Sequence, residues 1–387
     1  MKKYKILFLS EADPLDKRAW SGTLYYMNAQ LSKHFEVTNV GPIPNLSGFW
    51  NLMFKIYASI NHRLFNKFYD TNHSKLIGKL NLKKVKEKVY GAYDFIYAPA
   101  ASREVSQIKK IKIPILYASD ITFDLIKEKY GFEILFDFSK KEGDEVERLA
   151  INRSTLCLYC SDWAASSAIN TYGANPDKVY VVPFGANINT LPDYHVEKKA
   201  KYKTLEILFL GVDWVRKGGD IVLKTYLLLK AKGIDVHLTI CGCLPPIDLS
   251  STDVTIIPFI DKRKPEGVKA FDSLLTKSHL LFVPSQAEAF GIVFCEAAAY
   301  GIPVISRDAG GISSIVKNGI NGYCLPPDAT EYDYFNTITK IVNDRELYAQ
   351  LSQDSRKKYL EELNWDKWGE SVHDIITNYL VKNKSSY

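Results

Sequence analysis

The sequence predicts an α/β protein built from two doubly wound domains, and three observations predict this fold class. Short β-rich runs alternate with helical segments in the first half of the chain, a polar stretch interrupts this rhythm near residue 190, and the same alternation then restarts. Alternating strands and helices are the pattern of βα units in a parallel sheet. We therefore expect two parallel sheets, each covered by helices.

Each strand is predicted from a short run of apolar, β-branched or aromatic residues bounded by turn residues. The strands expected in the first half cover residues 5–10, 36–40, 94–98, 113–118, 155–159 and 178–182, and those expected in the second half cover residues 205–210, 236–241, 254–257, 280–283 and 303–306.

The predicted domain organisation follows from these strands. Residues 1–190 form the first domain, and residues 191–203, which include DYHVEKKAKYK, form a linker because their apolar periodicity lapses. Residues 204–364 form the second domain. A final helix at residues 365–387 is expected to pack back on the first domain.

Composition and charge narrow the classes of function. The chain has 387 residues, of which 46 % are hydrophobic and 24 % charged, as in soluble globular proteins. The net charge of +6 comes without dense Lys/Arg blocks, so we expect no nucleic-acid partner. The six cysteines are expected as buried free thiols rather than disulfides, and the Cys157–Cys160 pair is interpreted as core rather than a redox or zinc motif, because no second Cys/His pair follows at metal-ligand spacing. No apolar run reaches the ~18 residues of a bilayer span, and the N-terminus lacks a signal-peptide cleavage site, so a cytoplasmic protein is expected.

The most informative stretch is PSQAEAFGIVFCEAAAYG, at residues 284–301. An apolar run ends at its first residue, a polar loop follows, and a helix is predicted to open at Phe290 and Gly291. The free N–H groups and positive dipole end of a helix N-terminus suit a diphosphate, which Gly291 lets approach closely. This loop is therefore a predicted phosphate site.

Two glutamates in the same stretch need a different task, because a carboxylate repels a diphosphate. Glu288 is expected to accept hydrogen bonds from a transferred sugar, and Glu296 from a ribose. The structural alternative is that Glu288 complements the helix dipole and Glu296 is a solvated helix residue.

A second stretch, FLGVDWVRKGGD at residues 209–220, combines two cations with a glycine pair. Arg216 and Lys217 directly precede the glycines that open another predicted helix. Fixed cations there would stabilise the negative charge that builds on a leaving diphosphate in the transition state. The alternative is an ordinary exposed turn.

The E-AFGIVFC-E segment and the following YGIPVISRDAGGISSIVKNGINGYCLPP resemble retaining glycosyltransferase family 4 over nearly the whole chain. The resemblance implies the GT-B fold, in which two Rossmann-like doubly wound domains face a central cleft, and a UDP- or GDP-linked sugar donor with no further cofactor. It implies catalytic roles for Glu288, Arg216 and Lys217. The residues it implies for donor binding in this stretch are Ala289, Phe290, Gly291, Ile292 and Glu296.

Two further loops carry the resemblance with departures from the family pattern. Val212 stands at the usual place of an arginine, for which Arg216 is the expected substitute. After the strand at 254–257, Phe259 and Ile260 would line the nucleobase, although Phe259 could equally be a core residue. Ser313 and Ser314 replace the Pro and Glu of the family's GG-x-PE loop, which leaves sugar contacts there open.

In the first domain the resemblance implies two more site residues. Gly22 lies where the family's glycine-rich loop meets the diphosphate and the acceptor, but a helix N-cap by Ser21 is an alternative. Asp120 stands where many relatives carry a histidine, and it would orient a sugar hydroxyl or steady the oxocarbenium-like carbon. Its alternative is a helix N-cap for residues 121–130.

The expected reaction is metal-independent transfer with retention, in which a phosphate oxygen of the donor takes the acceptor's proton. The expected acceptor is a glycan or a lipid-linked acceptor, in cell-surface polysaccharide or glycoconjugate synthesis. The segment FWNLMFKIYASINHRLFNKFY at residues 49–69 is hypothesised to bind an anionic membrane surface peripherally, with a helix packed on the sheet as the alternative. The rival functions are a GT-B sugar-nucleotide epimerase and a non-catalytic bilobal ligand-binding protein.

Overall fold

The structure is a computed structural model that describes residues 3–43, 52–53, 56, 63, 66–130, 132–188, 190–249 and 252–384. The chain divides into two compact units: unit 1 comprises Met1–Val182 and Gly369–Tyr387, and unit 2 comprises Pro183–Trp368. Within the described ranges, each unit contains a six-stranded parallel sheet.

The sheet of unit 1 has the strand order β2-β1-β3-β4-β5-β6. Helices cover it, and the side chains of residues 6–9 in β1 and of all of β3 are buried, as expected for a parallel sheet covered on both faces. The strands are β1 Lys5–Leu9, β2 Glu36–Val40, β3 Phe95–Pro99, β4 Ile115–Ser119, β5 Leu156–Tyr159 and β6 Val179–Val181, and the helices are α1 Thr23–His34, α2 Lys75–Val89, α3 Ser102–Val105, α4 Phe123–Lys129, α5 Asp137–Arg153 and α6 Asp162–Asn170.

The sheet of unit 2 has the order β12-β11-β10-β7-β8-β9. Its strands are β7 Leu205–Leu210, β8 Val236–Cys241, β9 Val254–Ile257, β10 Leu280–Val283, β11 Val304–Arg307 and β12 Gly322–Leu325. The helices are α7 Val196–Ala200, α8 Gly219–Ala231, α9 Pro265–Lys277, α10 Ile292–Ala299, α11 Ile312–Ile315, α12 Glu331–Asn343 and α13 Arg345–Glu361, while α14 Trp365–Lys384 starts in unit 2 and continues as part of unit 1.

The boundary between the units differs from the expected one. It follows Val182, so residues 191–203 belong to unit 2 instead of linking two domains. The polar side chains of this segment find partners there: Tyr194 Oη lies 3.0 Å from Ser352 Oγ, and Lys199 Nζ donates to the Ser278 carbonyl at 2.9 Å. Residues 191–203 are polar because they form a surface segment that packs on unit 2, not because they link two domains.

One strand of unit 2 was not expected from the sequence. β12 pairs with β11 in parallel, from Val304 beside Gly322 to Arg307 beside Leu325. Gly322 has φ +153°, and a Cβ there would lie 2.0 Å from the Val304 carbonyl oxygen. A glycine is therefore required for the close approach of the two backbones, although glycine is usually depleted in strands.

The strand orders locate a switch point in each sheet. In unit 2 the chain starts at β7, builds outward to β9, and then returns to the other side of β7 with β10. In unit 1 it goes from β1 to β2 and then crosses to β3 on the other side. Ligands of doubly wound sheets bind beyond the carboxyl ends of the strands at such points.

The membrane hypothesis is not tested by this structure. Most of segment 49–69 lies outside the described residues, so its role stays a prediction. Across the described part of the chain, every helix is too short or too polar to cross a bilayer.

Candidate functional site

Two loops meet at the switch point of unit 2, one after β7 and one after β10. Gly218 has φ +77°, and a Cβ there would lie 2.3 Å from the Pro284 carbonyl oxygen, so only glycine lets the loops pack this closely. A Cβ at Gly211 would lie 2.8 Å from Lys217 Cγ. Gly218 therefore makes room for the loop after β10, and Gly211 makes room for the Lys217 side chain.

Three of the four charged residues predicted for catalysis, all but Asp120, come together where these loops meet. Lys217 Nζ donates a hydrogen bond to Glu288 Oε2, and Arg216 Nη1 lies 3.9 Å from the same oxygen. Arg216 is held by the Ala287 carbonyl, which accepts from Nη1 at 3.1 Å, and by Asp213 Oδ1, which accepts from its backbone N–H at 3.0 Å.

The three charged side chains are partly buried, so a ligand that binds one of them must also replace the contact that the other loses. The exposed fractions of the side chains are 9 % for Lys217, 13 % for Glu288 and 29 % for Arg216. Partly buried charges need compensation, and here the cation and the carboxylate compensate each other. An anion that takes the lysine and a hydroxyl that takes the glutamate would replace both halves of the pair together.

These contacts decide two of the structural alternatives. Glu288 is bound to a lysine on another loop, so a role confined to the dipole of its own helix is wrong. Arg216 and Lys217 are held by Asp213, Ala287 and Glu288, so the ordinary exposed turn is wrong as well.

The loop after β10 also opens α10 as expected. Gly291 is the N-cap of α10 with φ +95°, and a Cβ there would lie 2.5 Å from the Phe294 ring. Phe290 is 2 % exposed and its ring centroid lies 5.2 Å from that of Phe184, so it can offer a ligand only its backbone. Ala289 is buried and Ile292 is half-buried. Phosphate binding by this helix start stays a prediction.

A second charged pair lies further along α10. Glu296 is only 2 % exposed, so the alternative of a solvated helix residue is wrong. Lys262, from the loop after β9, donates from Nζ to Glu296 Oε1 at 2.7 Å, and its ammonium lies 4.5 Å from the Phe271 ring centroid. Sequence reasoning missed Lys262, because its partner is 34 residues away in the sequence.

The loop after β9 presents its aromatic residue to solvent. Phe259 is 69 % exposed, so the alternative of a core residue is wrong, and Ile260 is half-buried. Arg263 donates two hydrogen bonds of 2.6 Å to Asp261 and thereby lowers the pKa of that carboxyl to about 2. The guanidinium–carboxylate fork fixes the backbone that carries Lys262.

The loop after β11 reaches the same cluster through its backbone. Gly311, the second of the two adjacent glycines, donates its N–H to the Glu288 carbonyl at 3.1 Å. Ser313 and Ser314 are the two central residues of the short helix α11, Ile312–Ile315. The structure therefore links this loop to Glu288 by the main chain, and the sugar contacts that were left open stay open.

The predicted residues of unit 1 lie around its own switch point. Gly22, with φ +90°, is the N-cap of α1, so the alternative of a Ser21 N-cap is wrong. Asp120 follows β4 and accepts a hydrogen bond from Trp20 Nε1 at 3.1 Å. The N-cap of α4 is Thr122, so the N-cap alternative for Asp120 is wrong too.

A metal site can be looked for only among the residues that the structure describes. There, no three His, Cys, Asp or Glu side chains group as ligands for a metal ion. The described cysteines are all free thiols, five of them buried. Metal-independent chemistry stays a prediction.

The comparisons with known structures define the class of fold. The chain has the two-domain α/β GT-B fold: it superposes on HepE of Anabaena, solved with UDP and glucose, with a TM-score of 0.66 and 17 % identity over 97 % of this chain and 100 % of that one. It also superposes on WaaG, described as a glycosyltransferase involved in lipopolysaccharide biosynthesis, with a TM-score of 0.63 and 16 % identity over 96 % and 99 %.

The sequence comparisons then give the particular relatives. The model of the family described as glycosyl transferases group 1 matches residues 192–358. D-inositol 3-phosphate glycosyltransferase of Gordonia bronchialis is 27 % identical over 254 residues, which cover 61 % of this chain and 52 % of that protein. The chain spans about half the length of the curated relatives it matches.

Proposed function

We propose that the chain is a retaining glycosyltransferase that moves a sugar from a nucleoside diphosphate sugar to a glycan or lipid-linked acceptor in cell-surface polysaccharide or glycoconjugate synthesis. The observation that carries the proposal is the convergence of Arg216, Lys217 and Glu288 at the switch point of unit 2. A family match over most of unit 2 and GT-B neighbours that include a UDP complex support it.

The two cations would act on the leaving group. As the bond between the anomeric carbon and the phosphate breaks, negative charge grows on the diphosphate. Arg216 is held by the Ala287 carbonyl and Asp213, and the largely buried Lys217 lies at the site before the donor binds, where it exchanges Glu288 for the diphosphate. Because the charge is larger in the transition state than in the bound donor, the cations lower the barrier as well as bind.

Glu288 would act on the sugar. Once the diphosphate takes Lys217, the carboxylate is free to accept hydrogen bonds from sugar hydroxyls and to hold the ring in position. In the retaining mechanism that we propose, the acceptor attacks from the face that the diphosphate leaves, and a phosphate oxygen receives its proton. Glu288 is then a positioning group that touches substrate rather than a general base.

The test is a donor screen followed by an acceptor assay. We would measure binding of UDP- and GDP-linked hexoses by calorimetry, and then follow release of the nucleoside diphosphate with and without acceptor oligosaccharides or lipid-linked acceptors. Acceptor-stimulated release with retained anomeric configuration is expected. Conversion of the donor into its free epimer without acceptor would instead support the epimerase, and binding without any turnover the non-catalytic ligand-binding protein.

Metal independence has its own test. Activity is expected to persist in excess EDTA, because Arg216 and Lys217 supply the positive charge that a divalent cation supplies in other transferases. Complete loss of activity in EDTA, with recovery on adding Mg²⁺ or Mn²⁺, would refute this part of the proposal.

A further inference from the structure

The ion pair between Lys262 and Glu296 covers the carboxylate that is proposed to hold the ribose. Glu296 is 2 % exposed, whereas the Lys262 side chain is 41 % exposed. The lysine therefore lies on the solvent side of the pair, and its ammonium lies 2.7 Å from Glu296 Oε1. A hydroxyl needs a similar distance, about 2.7 Å, to bond the same oxygen.

A carboxylate can accept up to about four hydrogen bonds, but Glu296 is 2 % exposed and Lys262 lies on its solvent side, so a hydroxyl that approaches from solvent meets the ammonium first. We infer that Lys262 and the ribose compete for Glu296, so that nucleotide binding exchanges the ammonium for a ribose hydroxyl and Lys262 sets how strongly the ribose is recognised. This inference rests on the proposed function, because it takes Glu296 as the ribose-binding group.

The local structure suits such an exchange. The backbone around Lys262 is fixed by the fork between Arg263 and Asp261 and by the Lys264 N–H, which donates to the Asp261 carbonyl at 3.1 Å. The lysine stem above that backbone is long and ends in a strongly hydrated ammonium, so it can leave by side-chain rotation alone. In the paired position the ammonium also lies 4.5 Å from the Phe271 ring centroid, so the aromatic face is its second partner beside Glu296.

The exchange makes a specific prediction about ribose and deoxyribose. Recognition of the 2′-hydroxyl is weakened in the wild type by the need to release Lys262. Removing the ammonium should therefore increase the preference for ribose, whereas an arginine, which grips a carboxylate with two parallel N–H groups, should decrease it. A lysine that merely oriented Glu296 would give the opposite result on removal.

The experiment measures the ratio of the dissociation constants of dUDP and UDP, and of dGDP and GDP, for four proteins. These are the wild type, Lys262→Met, Lys262→Arg and the control Lys264→Met, which removes an exposed charge from the same loop. Taking the ratio cancels the general attraction between a lysine and the phosphates. We expect Lys262→Met to raise the ratio about two- to fivefold, the size of a partly exposed ion pair, and Lys262→Arg to lower it.

The outcomes separate the inference from the proposed function. A ratio that stays the same or falls in Lys262→Met, or that changes equally in Lys264→Met, overturns the competition while leaving nucleotide binding intact. Failure of all four proteins to bind any of the nucleotides contradicts the proposed function itself. A fifth protein, Glu296→Gln, should reduce the ratio of a nucleotide-binding chain towards one, and an unchanged ratio there would overturn the ribose assignment on which the inference rests.

Discussion

The switch points of the two units are alike in architecture and different in chemistry. Both lie where the chain crosses from one side of its first strand to the other, at the carboxyl ends of a six-stranded parallel sheet. In unit 2 the loops there bring opposite charges together, Lys217 with Glu288. In unit 1 the loop after β1 forms a strained turn, and Trp20 bonds Asp120. The fold thus fixes where a site lies, and loop residues decide what the site can do.

The strain in unit 1 is visible in three consecutive residues. Trp20, Ser21 and Gly22 have φ values of +48°, +57° and +90°. Only the glycine adopts this region freely, and each of the other two costs about 1 kcal/mol or more. Backbone strain of this kind persists where the surrounding structure imposes it, and it recurs at ligand-binding sites. Unit 2 keeps its charges close with glycines at its strained positions, so its loops avoid that cost.

The largest expected effect is on Glu288. Replacing it by glutamine keeps the shape but removes the charge that balances Lys217, and it weakens the hydrogen bonds to the sugar. We expect Glu288→Gln to lower kcat by about 10²–10³-fold, the range seen when one preorganised polar group is removed, with a smaller change in KM. Steady-state kinetics with the best donor would measure both constants.

Two other glutamates provide the contrast. Glu266, exposed on α9 of the same unit, is the matched control, and Glu266→Gln should leave both constants unchanged. Glu296→Gln should mainly raise KM, since its proposed partner is the ribose. Equal, small effects of the Glu288 and Glu296 substitutions would contradict the separate roles assigned to them.

The next effect separates the two cations. Lys217→Met removes the direct partner of Glu288 and should lower kcat by about 10²-fold. Arg216 is further away, with its Nη1 atom 3.9 Å from Glu288 Oε2, so Arg216→Met should lower kcat by only about tenfold. The double variant Lys217→Met/Glu288→Gln should be less impaired than the product of the single effects, because the two side chains contact each other. Fully multiplicative effects would indicate that the pair does not act as one group.

Most of the fold could be predicted from the sequence. Five of the predicted strands have the observed bounds, among them 205–210 and 280–283, because buried parallel strands are apolar runs that end sharply at glycine or proline. β12 was missed because it starts at a glycine. The unit boundary was missed because polarity alone does not distinguish a linker from a packed surface segment such as the one containing Tyr194 and Lys199.

The site could be predicted only where its residues are close in sequence. Glu288 and Glu296 lie in one segment, and Arg216 and Lys217 are adjacent, so residue type and spacing pointed to them. The partners that tie them down were not predictable: Lys217 meets Glu288 across 71 residues, Lys262 meets Glu296 across 34, and Trp20 meets Asp120 across 100. Only the strand order brings such loops together, and a local pattern does not contain it.

A third prediction compares the buried carboxylates of the two units. Glu296 in unit 2 has an ammonium partner, whereas Glu147 on α5 of unit 1 is 1 % exposed and accepts a hydrogen bond from Tyr117 Oη at 3.1 Å. Burial raises the pKa of Glu147 from 4.5 to about 7. The folded state therefore holds this proton more tightly than the unfolded state does, and Glu147 contributes most to stability below pH 4.5.

That contribution is lost as the pH rises through about 7. The difference between the two pKa values corresponds to roughly 3 kcal/mol of unfolding free energy. Glutamine does not titrate, so Glu147→Gln should remove this loss of unfolding free energy with rising pH. Measured by urea unfolding, the variant should gain stability relative to the wild type between pH 5 and pH 8. Glu87→Gln, an exposed change on α2 of the same unit, is the control. Parallel pH profiles for the wild type and Glu147→Gln would contradict the raised pKa.

The smallest effect tests what Asp120 does in unit 1. Trp20→Phe removes the Nε1–H that Asp120 accepts, and we expect it to lower the unfolding free energy by about 1 kcal/mol, the net size of one such hydrogen bond. Asp120→Ala should lower the unfolding free energy by a similar amount, and a double-mutant cycle should show that most of the loss is shared.

Measurements of activity then discriminate between two roles of Asp120. If Asp120 only holds the Trp20 ring, Trp20→Phe and Asp120→Ala lower kcat equally, but if its carboxylate steadies the reacting sugar, Asp120→Ala lowers kcat far more than Trp20→Phe. The second result is the one we expect, because the turn at Trp20 keeps a carboxylate bonded at the carboxyl end of β4, where doubly wound sheets place ligand-binding groups.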